Sequence, residues 1–186
     1  MSIQYSNEYI INEFYKAFEN IDTLYKNEII NYRGVTIGKA EKYTEIIARE
    51  LCNHLDEFEK INKITRKYSY KVNSHDGKTK KKESNRNEER LALDMFGKSY
   101  ENIGQIIDYQ IPINNSKYDK YGKVDLLSEI NNDLILIELK ANNNSETLLR
   151  CVLEIYTYYK QLDLDKLRID FKKTNANIRK AILVPN

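Results

Sequence analysis

The chain has 186 residues, 41% hydrophobic and 31% charged, enough for one good core, so a single domain with an appendage is expected. A formal net charge of +2 does not by itself point to nucleic acid, which puts the weight on where charge is concentrated. No apolar run approaches a bilayer span and the opening MSIQYSNEYIINEFYK mixes acids among its apolar residues, so a soluble, cytoplasmic protein without a membrane partner is expected.

From Ser6 to about Asn31, Ile11, Phe14, Phe18, Ile21, Tyr25 and Ile29 recur at spacings of three and four, which predicts one long amphipathic helix with Ser6 as its N-cap. A second helix is predicted from about Lys39 to Ile61, with Tyr43, Ile47, Leu51, Leu55, Phe58 and Ile61 on one face. The intervening RGVTIGK resembles a phosphate-binding loop only superficially. Three residues separate Gly34 from Gly38, Ala40 follows Lys39, and no strand precedes it, so it reads as a turn and the first third as a helical hairpin. Cys52 and Cys151 each fall in an apolar helical pattern, Cys151 further along the chain, without metal-ligand spacing and read as buried structural thiols; His54 and His75 stand alone, which disfavours zinc.

Ile64 to Val72 is predicted as a short strand or an extended connection. Residues 73–87 then lack apolar character and cluster Lys78, Lys80, Lys81 and Lys82. A solvated loop is the favoured reading of such a run; the functional one is a flexible basic arm that contacts phosphates. Helical periodicity resumes at Glu88 to Lys98, with Glu88 and Glu89 in the first turn, where acids suit the helix dipole. A half-buried strand follows over Ile103 to Ile113, setting Ile107, Tyr109, Ile111 and Ile113 against Ile106, Asp108 and Gln110. After a polar loop come two further strands, Lys123 to Ile130 and Leu134 to Leu139, then a helix from about Glu146 to Leu162 and a short strand at Lys180 to Val184. The division expected is a helical hairpin over 1–72 packed on the core, a basic loop over 73–87 and an α/β core over 88–186.

The two central strands carry acid where a strand interior would not ordinarily hold it, at Asp125 and at Glu138, with Lys140 two residues on. Side chains alternate faces, so Glu138 and Lys140 share one. A two-residue turn at Asn131-Asn132 puts Asp125 opposite Glu138; one at Asn132-Asp133 puts it opposite Lys140; a three-residue turn puts it opposite Leu139, on the wrong face. With an even turn, two carboxylates and an ammonium converge, and hard oxygen ligands suit magnesium or manganese. The competing reading is a cross-strand salt bridge.

Gly122-x-x-Asp125, then an apolar strand ending Ile137-Glu138-Leu139-Lys140, then a helix, resembles the PD-(D/E)XK nuclease superfamily. The resemblance covers about Asn85 to Val184. It implies a restriction-endonuclease-like core (helix, three-strand antiparallel meander, helix, strand) carrying an N-terminal helical hairpin. It also implies a magnesium-dependent nuclease acting on nucleic acid, DNA first, with Asp125, Glu138 and Glu89 as metal ligands and Asp125, Glu138 and Lys140 as catalytic residues. Glu88, Arg150 and Glu154 are accessory candidates. Val124 stands where the motif's name has proline, and Glu154-x-x-x-Tyr158 matches the superfamily's Gln-x-x-x-Tyr pattern only in part. The alternative is an inactive module on the same fold that binds nucleic acid or protein, and a homodimer or a protein partner would use the N-terminal helices.

Overall fold

Ser6 opens the first helix by accepting the Tyr9 N–H on its hydroxyl at 3.1 Å, and Glu8 places an acid in the first turn. In this computed structural model, which describes residues 4–38, 41–77, 87–115, 122–142 and 144–184, that helix, α1, spans Asn7–Phe18. The long helix expected to Asn31 is interrupted. Two 3-10 helices, Ile21–Lys26 and Glu28–Asn31, replace its second half. Asn20 leaves helical geometry at φ −115° and ψ 64°, and Asn27 is extended with its side chain accepting the Ile29 N–H at 3.1 Å. Asparagine competes locally with the helix ladder in this way, and apolar spacings of three and four fit the tighter helix as well as the α-helix.

The second predicted helix divides similarly, into α2 (Tyr43–Cys52) and a 3-10 helix over Leu55–Lys60, with Asn53 and His54 between them. The interruption leaves Leu55 57% exposed while Phe58 and Ile61 stay buried. Cys52, expected inside, is exposed: it lies one step past Leu51, about 100° round the helix from the buried face of Tyr43, Ile46, Ile47 and Leu51. Cys151 is buried as expected. The Gly34 to Gly38 segment is a turn, closed by a single bridge between Val35 and Lys42.

The chain forms two compact units, Met1–Asn62 with Ser145–Lys160, and Lys63–Asn144 with Gln161–Asn186. The helix after the central strands, α4 (Leu148–Gln161), thus belongs almost wholly with the N-terminal segment. Its entry is fixed there by Thr147, whose hydroxyl donates to the Ile30 carbonyl at 2.8 Å and whose N–H reaches Asn31 Oδ1 at 2.6 Å. Along the helix Tyr158 meets Tyr25 edge-on at 5.5 Å and Tyr156 meets Phe58 at 5.3 Å.

The second unit holds α3 (Asn87–Met95) and a five-stranded sheet in the order β1 (Ser99–Tyr100), β2 (Gly104–Pro112), β3 (Lys123–Ile130), β4 (Asp133–Leu139) and β5 (Ile178–Leu183). Neighbours are antiparallel except β4 and β5, which are parallel. A parallel neighbour requires a crossover, and the chain makes it through α4 and the short α5 (Leu164–Asp170), whose N-cap Asp163 accepts the Lys166 N–H at 3.0 Å. Two elements, β1 and α5, have no counterpart among the predicted ones. At the β1–β2 turn Gly104 has φ 74°, and a Cβ there would stand 2.0 Å from the Glu129 carbonyl oxygen, so only glycine fits.

One face of the sheet buries Ile106, Tyr109, Leu126, Ile135, Ile137 and Leu139 against Ala92 and Met95 of α3. Each fully buried large apolar side chain contributes roughly 2 kcal/mol on transfer from water. The strand predicted over Ile103 to Ile113 alternates differently from expectation because β2 bulges between Ile106 and Asp108. The extra residue, Ile107, lets Ile106 and Tyr109 share the α3 face. Residues 64–72 form no strand. They are tied down by Arg66, which donates to the Ser69 and Asn114 carbonyls, and by the fully buried Tyr70, whose N–H reaches Asp170 Oδ2 at 2.8 Å.

Candidate active site

The site begins with a turn. Asn131 and Asn132 have φ of 50° and 67°, both left-handed, which defines a two-residue type I′ hairpin matched to the twist of its strands. Ile130 pairs with Asp133, and the register runs through Leu127 with Leu136 to Leu126 with Ile137. The ladder ends there; continued one step further, the same register sets Asp125 level with Glu138, both on the face away from α3. Of the three turns considered, the chain makes the one at Asn131-Asn132.

At that step the ladder gives way to side-chain chemistry. Asp125 Oδ2 accepts the Leu139 N–H at 2.9 Å, and Oδ1 accepts from Gln110 Nε2, also at 2.9 Å. Gln110 lies between the pairs Tyr109–Leu126 and Ile111–Val124, which sets it beside Asp125 on β2. Gln110, Asp125 and Glu138 therefore form one polar row across three adjacent strands, which ends on β5 at the apolar Ile182, the partner of Glu138. Leu127, Leu134 and Leu136 on the same face are fully buried, so the row is set in an apolar surround.

Glu138 is 3% exposed and Lys140 7%, and Lys140 Nζ lies 2.6 Å from Glu138 Oε1. The two side chains share a face because one residue separates them, and the Lys140 N–H donating to the Leu183 carbonyl at 2.9 Å continues the parallel edge past the end of β4. Charges this deeply buried must be paired or ligate a metal, since leaving either alone is costly. The structure thus ties Asp125 to the backbone of the residue between Glu138 and Lys140, pairs those two with each other, and adds Gln110, which reads in the sequence as an ordinary solvent-side polar residue of a strand.

The other predicted residues have partners of their own or lie outside the described residues. Glu88 approaches the chain beyond Lys140: Asn144 Nδ2 donates to its Oε1 at 2.7 Å. Glu89 is the last and smallest of the carboxylates, after Asp76 and Asp108, that add to the rise of the Tyr109 hydroxyl, which burial pushes up first. Arg150 and Glu154 belong to the other unit. Arg150 Nε lies 3.0 Å from Glu146 Oε1, and Glu154 Oε1 accepts the Tyr158 hydroxyl at 2.7 Å, so the Glu-x-x-x-Tyr pair bonds within its own helix. Lys78, Lys80, Lys81 and Lys82 lie outside the described residues. The histidines are not isolated: His75 Nδ1 lies 2.6 Å from buried Asp108 Oδ1 with its ring stacked on Tyr109 at 4.2 Å, and His54 Nε2 lies 3.2 Å from the Tyr15 hydroxyl.

Among the described residues no group of three or more His, Cys, Asp or Glu side chains is placed to hold a metal. Asp125 and Glu138 supply the kind of oxygen donor that suits magnesium, which characteristically takes one or two protein carboxylates and completes its shell with water and phosphate oxygens. No helix of the described residues is long and apolar enough to cross a membrane. Comparison with family models, curated proteins and solved structures finds no match to this chain.

Proposed function

We propose that the chain is a metal-dependent nuclease with a restriction-endonuclease-like core of the PD-(D/E)XK type, hydrolysing phosphodiester bonds of DNA in the cytoplasm. The observation that carries this reading is the hairpin register. Continued one step past the pair Leu126–Ile137, it puts Asp125 level with Glu138, beside which Lys140 is buried on the same face. Support also comes from the order of elements: a helix, an antiparallel meander of β2, β3 and β4, then a crossover to a parallel strand.

Asp125 and Glu138 would hold magnesium or manganese. When bound, such an ion lowers the pKa of coordinated water and offsets charge on a phosphoryl oxygen. The Leu139 N–H and the Gln110 amide hold the two oxygens of Asp125. Lys140 carries its ammonium within the apolar surround, where a positive charge stabilises a developing phosphorane charge far better than in water. The net reaction adds water across one P–O ester bond, its oxygen to phosphorus and its proton to the leaving oxygen. Phosphate contacts outside the site are assigned to the lysines of residues 78–82.

The 2.6 Å Lys140–Glu138 pair favours a second reading, in which the acids are structural and the domain only binds nucleic acid or protein. A thermal titration separates the two. Manganese should raise the melting temperature of the wild type by linkage and leave Asp125→Ala unmoved. No response in either protein would favour the binding module.

A further inference from the structure

Gln110 has φ 48°, a left-handed conformation that non-glycine residues rarely adopt, in the interior of β2. Its neighbours Tyr109 and Ile111 both pair in register with β3, so the distortion is confined to one residue. Strained backbone persists where the surroundings over-determine it, and such positions cluster at functional sites. What this one accomplishes is visible in the contacts: Gln110 Nε2 donates to Asp125 Oδ1 at 2.9 Å while the Leu139 N–H takes Oδ2 at the same distance. Leu139 is the residue between Glu138 and Lys140, so its amide locks Asp125 to the strand that carries the other two groups. Gln110 supplies the second grip from the opposite strand.

We infer that Gln110 is a positioning residue for Asp125, setting the plane of that carboxylate for a divalent cation; the inference rests on the nuclease reading above. A carboxylate held at one oxygen can still swing about its Cβ–Cγ bond. Donors on both oxygens, from two different strands, fix that rotation. Both donors are neutral, so they orient the carboxylate without cancelling the charge a cation requires. A side chain at this position that kept the shape of glutamine but lacked the donor would remove the hold that β2 has on Asp125 Oδ1.

Manganese binding by calorimetry on the full chain, together with steady-state cleavage of duplex DNA, tests this with Gln110→Met, which keeps the length and bulk, and Gln110→Gly, which accepts the left-handed backbone without strain. Both variants should bind manganese on the order of tenfold more weakly, or worse, than wild type. Both should lose kcat with KM for duplex DNA unchanged, a split that a purely structural role of Gln110 would not produce. Wild-type manganese affinity and kcat in either folded variant would overturn the inference. Asp125→Ala separates this from the parent reading. If it abolishes manganese binding while the Gln110 variants retain it, only the role of Gln110 fails. If the wild type binds no manganese, the nuclease reading fails and carries the inference with it.

Discussion

At the scale of single residues, the Glu138–Lys140 pair makes the sharpest claim about energetics. Both groups are almost fully buried 2.6 Å apart. Removing one partner of such a pair costs roughly 3–5 kcal/mol because the other charge is left uncompensated, whereas replacing both by apolar groups of similar volume is often neutral. Lys140→Met should therefore lower the unfolding free energy by about 3 kcal/mol, and Glu138→Leu with Lys140→Met should recover most of the loss. Denaturant melts of the three proteins measure this; a mild single-variant effect would show that water reaches the pair. Ser128 argues in the other direction. It is fully buried on the α3 face between Ile106 and Ile135, and its hydroxyl has no hydrogen-bond partner among the described residues. Ser128→Ala should stabilise the chain by about 1 kcal/mol, since a buried hydroxyl without a partner costs at least that much.

At the scale of elements, the central hairpin decides everything that follows. Asn131 and Asn132 are left-handed, and at the second position glycine is the better residue. Asn132→Gly should stabilise the domain by about 0.5 kcal/mol while leaving the manganese response intact. A lost response in a well-folded Asn132→Gly protein would break the link drawn between register and site. This part of the chain was the most legible in the sequence, because period-two alternation and turn chemistry are local properties: the ends of β3 are as expected, β4 begins one residue earlier, and the face shared by Glu138 and Lys140 follows from their spacing. The helices were less so. Asn20 and Asn53 divide what their apolar spacing presents as continuous, since 3-10 and α-helices bury nearly the same positions. Gln110 was not legible at all as a site residue. Its role depends on a backbone angle and on β2 lying beside β3 in one register, neither of which a strand's residue types encode.

At the scale of the whole molecule, each compact unit holds a buried tyrosine in a polar network. Burial first, then the Glu154 carboxylate and the Tyr25 phenol, pushes the Tyr158 hydroxyl far above the usual phenol range. Burial likewise pushes Tyr70 up, against the opposing hydrogen bond from the Asp163 backbone and the nearby Arg66. The unfolded chain loses these protons above about pH 10 while the folded chain keeps them, so the folded state binds more protons there and stability falls as pH rises. Below that pH the contribution is fully present. Denaturant midpoints should decline steeply between about pH 10 and 11, and Tyr158→Phe, although destabilised at neutral pH by its lost hydrogen bonds, should show a shallower decline. Equal slopes in the two proteins would assign the alkaline transition to other groups.

Cleavage of duplex DNA in magnesium, with chelator and a Lys140→Ala protein as controls, reads out the proposal that Asp125, Glu138 and Lys140 form one metal-dependent hydrolytic site. The wild type should cleave, stop on chelation, and lose roughly a hundredfold or more in Lys140→Ala, the scale on which removing one group that stabilises transition-state charge is felt. Undiminished cleavage by Lys140→Ala, or none by a wild type that binds magnesium, would contradict it.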